Sequence, residues 1–228
     1  MFCFYGGIIL ISIYYKLKQI FNFIKNISKY IITFIISLFF VFFLQDNLKF
    51  NDDIGFSLAL VISATLFLFL LKRESKSPMK YLKVHKVKFK TILIIICFTI
   101  VMLFFDIIII KLLEKLIVSD VQGETKLYFL SILHLVILAP ICEEIFFRGL
   151  LFQKLKEIMP LFLSVIIQGF IFGILHGAFS GHLIQSLLSG FSGIIYALIY
   201  NYTNNLTIPI LIHGFYNLFL VILNLLFT

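Results

Sequence analysis

Thr91-Ile-Leu-Ile-Ile-Ile-Cys-Phe-Thr-Ile-Val-Met-Leu-Phe-Phe-Asp-Ile-Ile-Ile-Ile110 decides the fold class. Its one charged residue is Asp106, and its length matches the roughly 20 apolar residues that carry a helix across a bilayer. The rest of the chain repeats the pattern. Of 228 residues, 61% are apolar and 13% charged. A soluble domain is nearer half apolar and a quarter charged. Mean hydropathy is +1.11. There are 29 Phe and no Trp, so an interfacial aromatic belt rests on the 10 Tyr. Apolar stretches at 2–15, 30–44, 54–71, 91–110, 127–148, 161–176, 183–200 and 206–227 predict an all-α, polytopic transmembrane helix bundle. The count is about eight spans, or seven if 2–15 does not span. That segment lacks the basic start and the cleavage site of a signal peptide.

The formal charge of +8 is read by position, because Lys and Arg in short loops mark the cytoplasmic side. Segment 72–90 carries eight Lys and Arg against Glu74 alone. Segments 16–29 and 149–160 are also basic, whereas 45–53 and 111–126 are not. The alternation predicts a multi-pass protein of the cell membrane with 72–90 cytoplasmic and both termini outside. That basic linker divides an N-terminal region, 1–126, from a motif-bearing region, 127–228. No basic face on a soluble domain is visible, so nucleic acid is not expected as a partner; the bilayer is. Three cysteines without a CxxC suggest neither a disulfide framework nor a thiolate metal site.

Ionisable groups inside spans are costly and are functional candidates by default. They concentrate in the back half as His134, Glu143, Glu144, Arg148, His176 and His213, with Asn217 as a polar companion. In Ala139-Pro-Ile-Cys-Glu-Glu-Ile-Phe-Phe-Arg-Gly, Pro140 removes a backbone hydrogen bond just before the acids. Glu144 and Arg148 share a helix face and can pair. Glu143 points about 100° away, free to bind or to move a proton. In Gln168-Gly-Phe-Ile-Phe-Gly-Ile-Leu-His-Gly, Gly169, Gly173 and Gly177 recur at the spacing that lets membrane helices approach closely, with His176 on or beside that face. In His213-Gly-Phe-Tyr-Asn217, His and Asn share a face. Such groups suit a developing oxyanion or a metal with its supporting shell. Plainer readings are a helix-end salt bridge, an interfacial histidine and polar glue between spans. Together the residues suffice for a water activated by Glu and His or for a small His/Glu metal site. HExxH, GxSxG and phosphate loops are absent.

Glu-Glu-x-x-x-Arg, then Phe-x-x-x-His, then His-x-x-x-Asn on late transmembrane helices resembles the family of CAAX prenyl proteases and bacteriocin-processing or immunity proteins, over roughly 127–228. The resemblance implies an intramembrane endopeptidase acting on a membrane-associated or peptide substrate. It implies that Glu143 and His176 activate water and that His213 and Asn217 steady the oxyanion or help hold a metal. Glu144 and Arg148 would be the structural pair. The family divides between metal-free and metal-dependent mechanisms; a divalent metal such as zinc would fall to Glu143, His176 and His213. Competing readings are a bacteriocin immunity protein acting by binding and, less favoured, an ion-coupled transporter. Nearly all buried polar residues lie in one half, against the matched broken helices of transporters.

Other polar residues are set aside. His134, nine before Glu143, should lie about 180° round the helix. Asp106 sits near one end of its span, His85 in the basic linker and His182 in a short loop; Cys142 has no cation on its face. The site should lie nearer the cytoplasmic face. Counting from Phe152 at ~1.5 Å per residue puts Glu143 about 13 Å from the inner end, and His213 comes out at about 10 Å. His176, counted from Leu161, falls at about 22 Å, which disagrees.

Overall fold

The computed structural model describes residues 2–48, 52–74, 77–113, 129–180 and 183–227, and among these every regular element is helical. The elements are α1 (Phe2–Leu48), α2 (Asp52–Arg73), the short α3 (Pro78–Tyr81), α4 (Phe89–Leu113), then one irregular rod, and finally α8 (Leu161–Ser180), α9 (Leu183–Thr203) and α10 (Thr207–Phe227). The rod runs through α5 (Phe129–Leu133), a π-helical turn (His134–Leu138), α6 (Ala139–Glu144), a π-helical stretch (Ile145–Phe152) and α7 (Gln153–Ile158). An all-α bundle is what the apolar periodicity predicts. Phe89–Leu112, Leu183–Thr203 and Thr207–Leu226 are each long and apolar enough to cross a membrane, and Leu161–Gly177 is a shorter apolar helix. His182 and most of the 111–126 segment lie outside the described residues.

One expected boundary is corrected among the described residues. Segments 2–15 and 30–44 are not two spans joined by a loop but parts of one 47-residue helix. Between Ile8 and Leu48 the sequence has neither Pro nor Gly, and Ile20, Ile24 and Ile27 keep the helical period through the supposed loop. At 1.5 Å per residue α1 is about 70 Å long, more than twice the ~30 Å of bilayer hydrocarbon. Lys29 and Tyr30 on α1 both bond Glu74, just past the end of α2. The N-terminal part of α1 therefore projects from the end of the bundle that carries 72–90.

That basic segment is bound to the bundle floor. Tyr200 Oη donates to Leu82 O, Leu206 N–H to Lys83 O and His85 N–H to Asn205 Oδ1. Asn204 ends α9 at φ 52°, with its N–H on Tyr200 O, a left-handed stop that Asn tolerates. Asn205 Oδ1 then caps the Thr207 N–H of α10. One core cluster joins Tyr30, Phe67, Leu71 and Leu82 of the front half to Ile145, Leu150, Phe152, Tyr200 and Leu206 of the back.

These turns settle the depth disagreement. The rod continues past Phe152 to Ile158, and Met159-Pro160 turns it into α8. Glu143 lies fifteen residues before Ile158, and His176 fifteen after Leu161. Both are then about 22 Å from the hairpin turn at ~1.5 Å per residue. The α9–α10 turn sits higher, beside Gly149, where an added Cβ would lie 3.6 Å from Leu206 Cδ2. His213, seven past Leu206, meets Glu143, six before Gly149, at one level.

α8 and α9 pack through their glycines. A Cβ on Gly173 would lie 2.9 Å from the Gly190 Cα, backbone that cannot yield, whereas one on Gly190 would come no closer than 3.4 Å to Gly169 O. Gly173→Ala should therefore cost about 1–3 kcal/mol by overpacking. Gly190→Ala should be neutral or stabilise by about 0.5–1 kcal/mol through its better helix propensity. Thermal unfolding of the purified variants checks the pair; equal losses would contradict this packing.

Candidate active site

Glu144 and Arg148 have no solvent exposure, and Arg148 Nη1 donates to Glu144 Oε1 at 2.8 Å. Burying two charges is expensive, and several contacts compensate this pair, although Glu144 Oε2 and Arg148 Nε make no hydrogen bond among the described residues. Arg148 Nη2 donates to Gly193 O at 3.3 Å. Its guanidinium lies 4.5 Å from the Phe172 ring centroid and 5.2 Å from that of Tyr196. Cation–π attraction of this kind is stronger away from water. Gln168, also fully buried, donates to the same Gly193 carbonyl at 2.6 Å. Gly193 thus ties α9 to both the rod and α8. A Cβ there would lie 3.1 Å from Gly169 Cα, so the close approach requires glycine.

Glu144 also reaches α10, with Oε1 3.1 Å from His213 Nδ1. Against a carboxylate that nitrogen is the donor, so Nε2 is turned toward the site. His176 is held in the same way. Its Nδ1 lies 2.8 Å from Phe172 O, which can only accept, and Nε2 is left facing Glu143. Glu143 Oε2 stands 3.6 Å from His176 Nε2 and 3.9 Å from His213 Nε2. It is buried and makes no hydrogen bond. These separations exceed a direct hydrogen bond and match groups bridged by one small donor.

The three groups line a cavity of about 490 Å³. Its wall includes Asn217, Gln185, Cys142, Phe146, Phe147 and Leu175. Glu143, His176, His213 and Asn217 thus meet at one cavity, with Glu144 on Arg148 behind them. Asn217 differs from the expectation in one respect: its Nδ2 donates to Leu135 O at 2.8 Å. The cavity also takes in Ser63, Ala64 and Phe67 of α2, so the motif-poor front half supplies part of the wall.

Two set-aside residues, His134 and Asp106, are placed otherwise than expected. His134 lines the cavity and is buried. The 180° estimate assumed an unbroken α-helix, but Ala139 N–H bonds His134 O, an i→i+5 bond that adds a residue to the turn and brings His134 back round. Asp106 is buried and accepts 2.6 Å from Tyr216 Oη of α10, so it does not reach the interface. Cys142 is a free, buried thiol in the cavity wall. Gln168, Gly193 and Ser63 were not singled out from the sequence. Gln168 was legible as a lone amide in an apolar span; a serine and a glycine carry no such signal.

The donor types of Glu143, His176 and His213 suit zinc, and each histidine has the Nδ1 partner that fixes a ligating tautomer. Among the described residues no three His, Cys, Asp or Glu side chains form a group set to hold a metal ion.

A carboxylate and two oriented imidazoles meet at an apolar cavity between the helices. In comparison with known proteins, residues 125–219 match the family described as "Type II CAAX prenyl endopeptidase Rce1-like". The matched stretch contains every residue of the three motifs. The "Putative membrane peptidase YdiL" of Bacillus subtilis is 37% identical over 89 residues, 39% of this chain and 35% of that protein. An uncharacterized protein of Mycoplasma capricolum is 37% identical over 106 residues, 45% of this chain and 30% of that one. The chain therefore covers about a third of the length of these relatives. No solved structure matches it.

Removing one member of the buried pair strands the other. Arg148→Met should cost about 3–5 kcal/mol and deplete folded protein. The double variant with Glu144→Gln should recover much of the loss. Folded yield after extraction and size exclusion reads this; an Arg148→Met protein as abundant as wild type would contradict the pair's role.

Proposed function

We propose that this protein is an intramembrane endopeptidase, cutting a peptide bond of a membrane-associated or peptide substrate with water activated by Glu143 and His176. The supporting observation is the convergence of Glu143 Oε2 with His176 Nε2 and His213 Nε2 at one cavity. Glu143 Oε2 and, in the tautomer Phe172 O imposes, His176 Nε2 are acceptors, and a water with two O–H donors is complementary to them.

The carboxylate of Glu143 takes one water proton while His176 Nε2 orients the other. The oxygen attacks the scissile carbonyl carbon, and the carbonyl electrons move onto its oxygen. His213, held through Nδ1 by Glu144, presents Nε2 to that side and, as an imidazolium already carrying a proton on each nitrogen when the substrate binds, donates Nε2–H to the oxyanion and keeps that proton throughout. As the tetrahedral adduct collapses, the C–N bond breaks and Glu143 returns its proton to the leaving amine. Arg148 keeps Glu144 an acceptor throughout and touches no substrate. A divalent metal such as zinc, if bound, would be held by Glu143, His176 and His213 and would acidify the water.

The hairpin end of the rod and the strap 77–88 are assigned to the cytoplasmic side, because they carry the basic residues that mark it. His213, seven residues past Leu206, lies about 10 Å from the α9–α10 turn at that end, at ~1.5 Å per residue. A cysteine in place of Lys80 should react with impermeant reagents only from the cytoplasmic face; labelling from outside would reverse the orientation.

Purified protein in nanodiscs should cleave members of a library of apolar and lipidated peptides. Glu143→Gln and His176→Ala should each lower the rate by at least about 10²-fold, the scale of general acid–base catalysis, while folded yield is kept. Full activity of Glu143→Gln would remove the general base. Cleavage unchanged by a chelator supports the metal-free route; loss restored by zinc would assign the metal. A wild type that cleaves nothing in the library while conferring bacteriocin resistance on cells would favour immunity by binding.

A further inference from the structure

Pro140 breaks the hydrogen-bond ladder of the rod two residues before the paired acids' turn begins. It has no N–H to donate. The N–H of Ala139 is committed to His134 O. Leu135 O therefore loses its i+5 donor at Pro140 and finds its i+4 donor, at Ala139, engaged elsewhere. Val136 O loses its i+4 donor for the same reason. A carbonyl without a partner is costly, most of all in a membrane, so Leu135 O needs a donor from outside the rod.

Both carbonyls face α10. Asn217 Nδ2 donates to Leu135 O at 2.8 Å. Because the partner is a carbonyl, the amide must present nitrogen, and its oxygen is left on the other side. One turn earlier on α10, Gly214 lies against the second carbonyl: a Cβ there would be 2.9 Å from Val136 O. His213 sits beside Gly214 and places its two nitrogens on Glu144 and toward Glu143. The segment His213–Asn217 is thus docked on the proline break at one end and on the acids at the other.

We infer that Asn217 is a positioning residue: it supplies the donor that Pro140 cannot, and so holds α10 in the register that places His213 against Glu143 and Glu144. The structural half of this inference is independent of the peptidase reading; its consequence for rate rests on that reading.

A cycle of Asn217→Ala, Pro140→Ala and the double variant tests it, because alanine at 140 returns the missing N–H. Hydrogen–deuterium exchange of residues 134–142, in nanodiscs, reports the ladder without any substrate. Asn217→Ala should speed exchange there at least tenfold with proline present and less than twofold with Pro140→Ala. Peptide cleavage should follow the same pattern, with a loss of tenfold or more from Asn217→Ala in the proline background and little further loss in the alanine background. Asn217→Asp keeps the shape and loses the donor, and should speed exchange as Asn217→Ala does even if Pro140→Ala does not fold. Exchange unchanged in Asn217→Asp and Asn217→Ala would overturn the inference. So would an equal rate loss in both backgrounds, the mark of a residue that meets the substrate. Absence of cleavage by wild type would remove the peptidase reading and leave the exchange result to decide the inference by itself.

Discussion

The charged pair Glu144–Arg148, with no exposure at either side chain, is the interaction on which the rest of the site depends. A pair so enclosed costs several kcal/mol to desolvate, and the contacts its neighbours make offset part of that cost. The enclosing residues are therefore the ones that build the site. Arg148 draws in the Gly193 carbonyl of α9 and the Phe172 ring of α8, and Glu144 draws in His213 of α10. Phe172 in turn accepts from His176. Each of the three helices around the rod is tied to this pair directly or through one residue. The neighbouring Glu143 is left with no hydrogen bond at Oε2 and with both histidines facing it.

The irregular backbone of the rod serves the same end. A straight α-helix would place His134 on the far side from Glu143, and the π turn brings it to the cavity. π turns of this kind recur at functional sites because they re-aim side chains while keeping most backbone bonds. Their weak point is the unpaired carbonyl, and here an amide from α10 meets it. Ser63 of α2 is buried at the cavity with its hydroxyl unbonded, so the front half shapes the chamber as well as closing it.

Much of this was legible in the sequence, and the failures have physical causes. Apolar length announced the helices, and the four-residue spacings announced the Glu144–Arg148 pair and the glycine face of α8. The periodicity argument failed at His134 because it assumed one helix type throughout. It failed at 16–29 because four lysines looked like a loop, although nothing in that stretch breaks a helix. The depth of Glu143 was short because the rod was ended at Phe152, where the apolar run stops, while its helix continues through Lys154 and Lys156. The partners of Gly193, Gln168 and Leu135 are invisible in sequence, since each is a contact with a backbone carbonyl that any residue would carry.

The central claim is that water held by Glu143 becomes part of the product. Cleavage of a peptide by the purified protein in H₂¹⁸O, followed by mass spectrometry, tests it directly. The account predicts one ¹⁸O in the new C-terminal carboxyl group at single turnover, and no labelled product from Glu143→Gln. Cleavage without label, or through an intermediate trapped on Cys142, would contradict it.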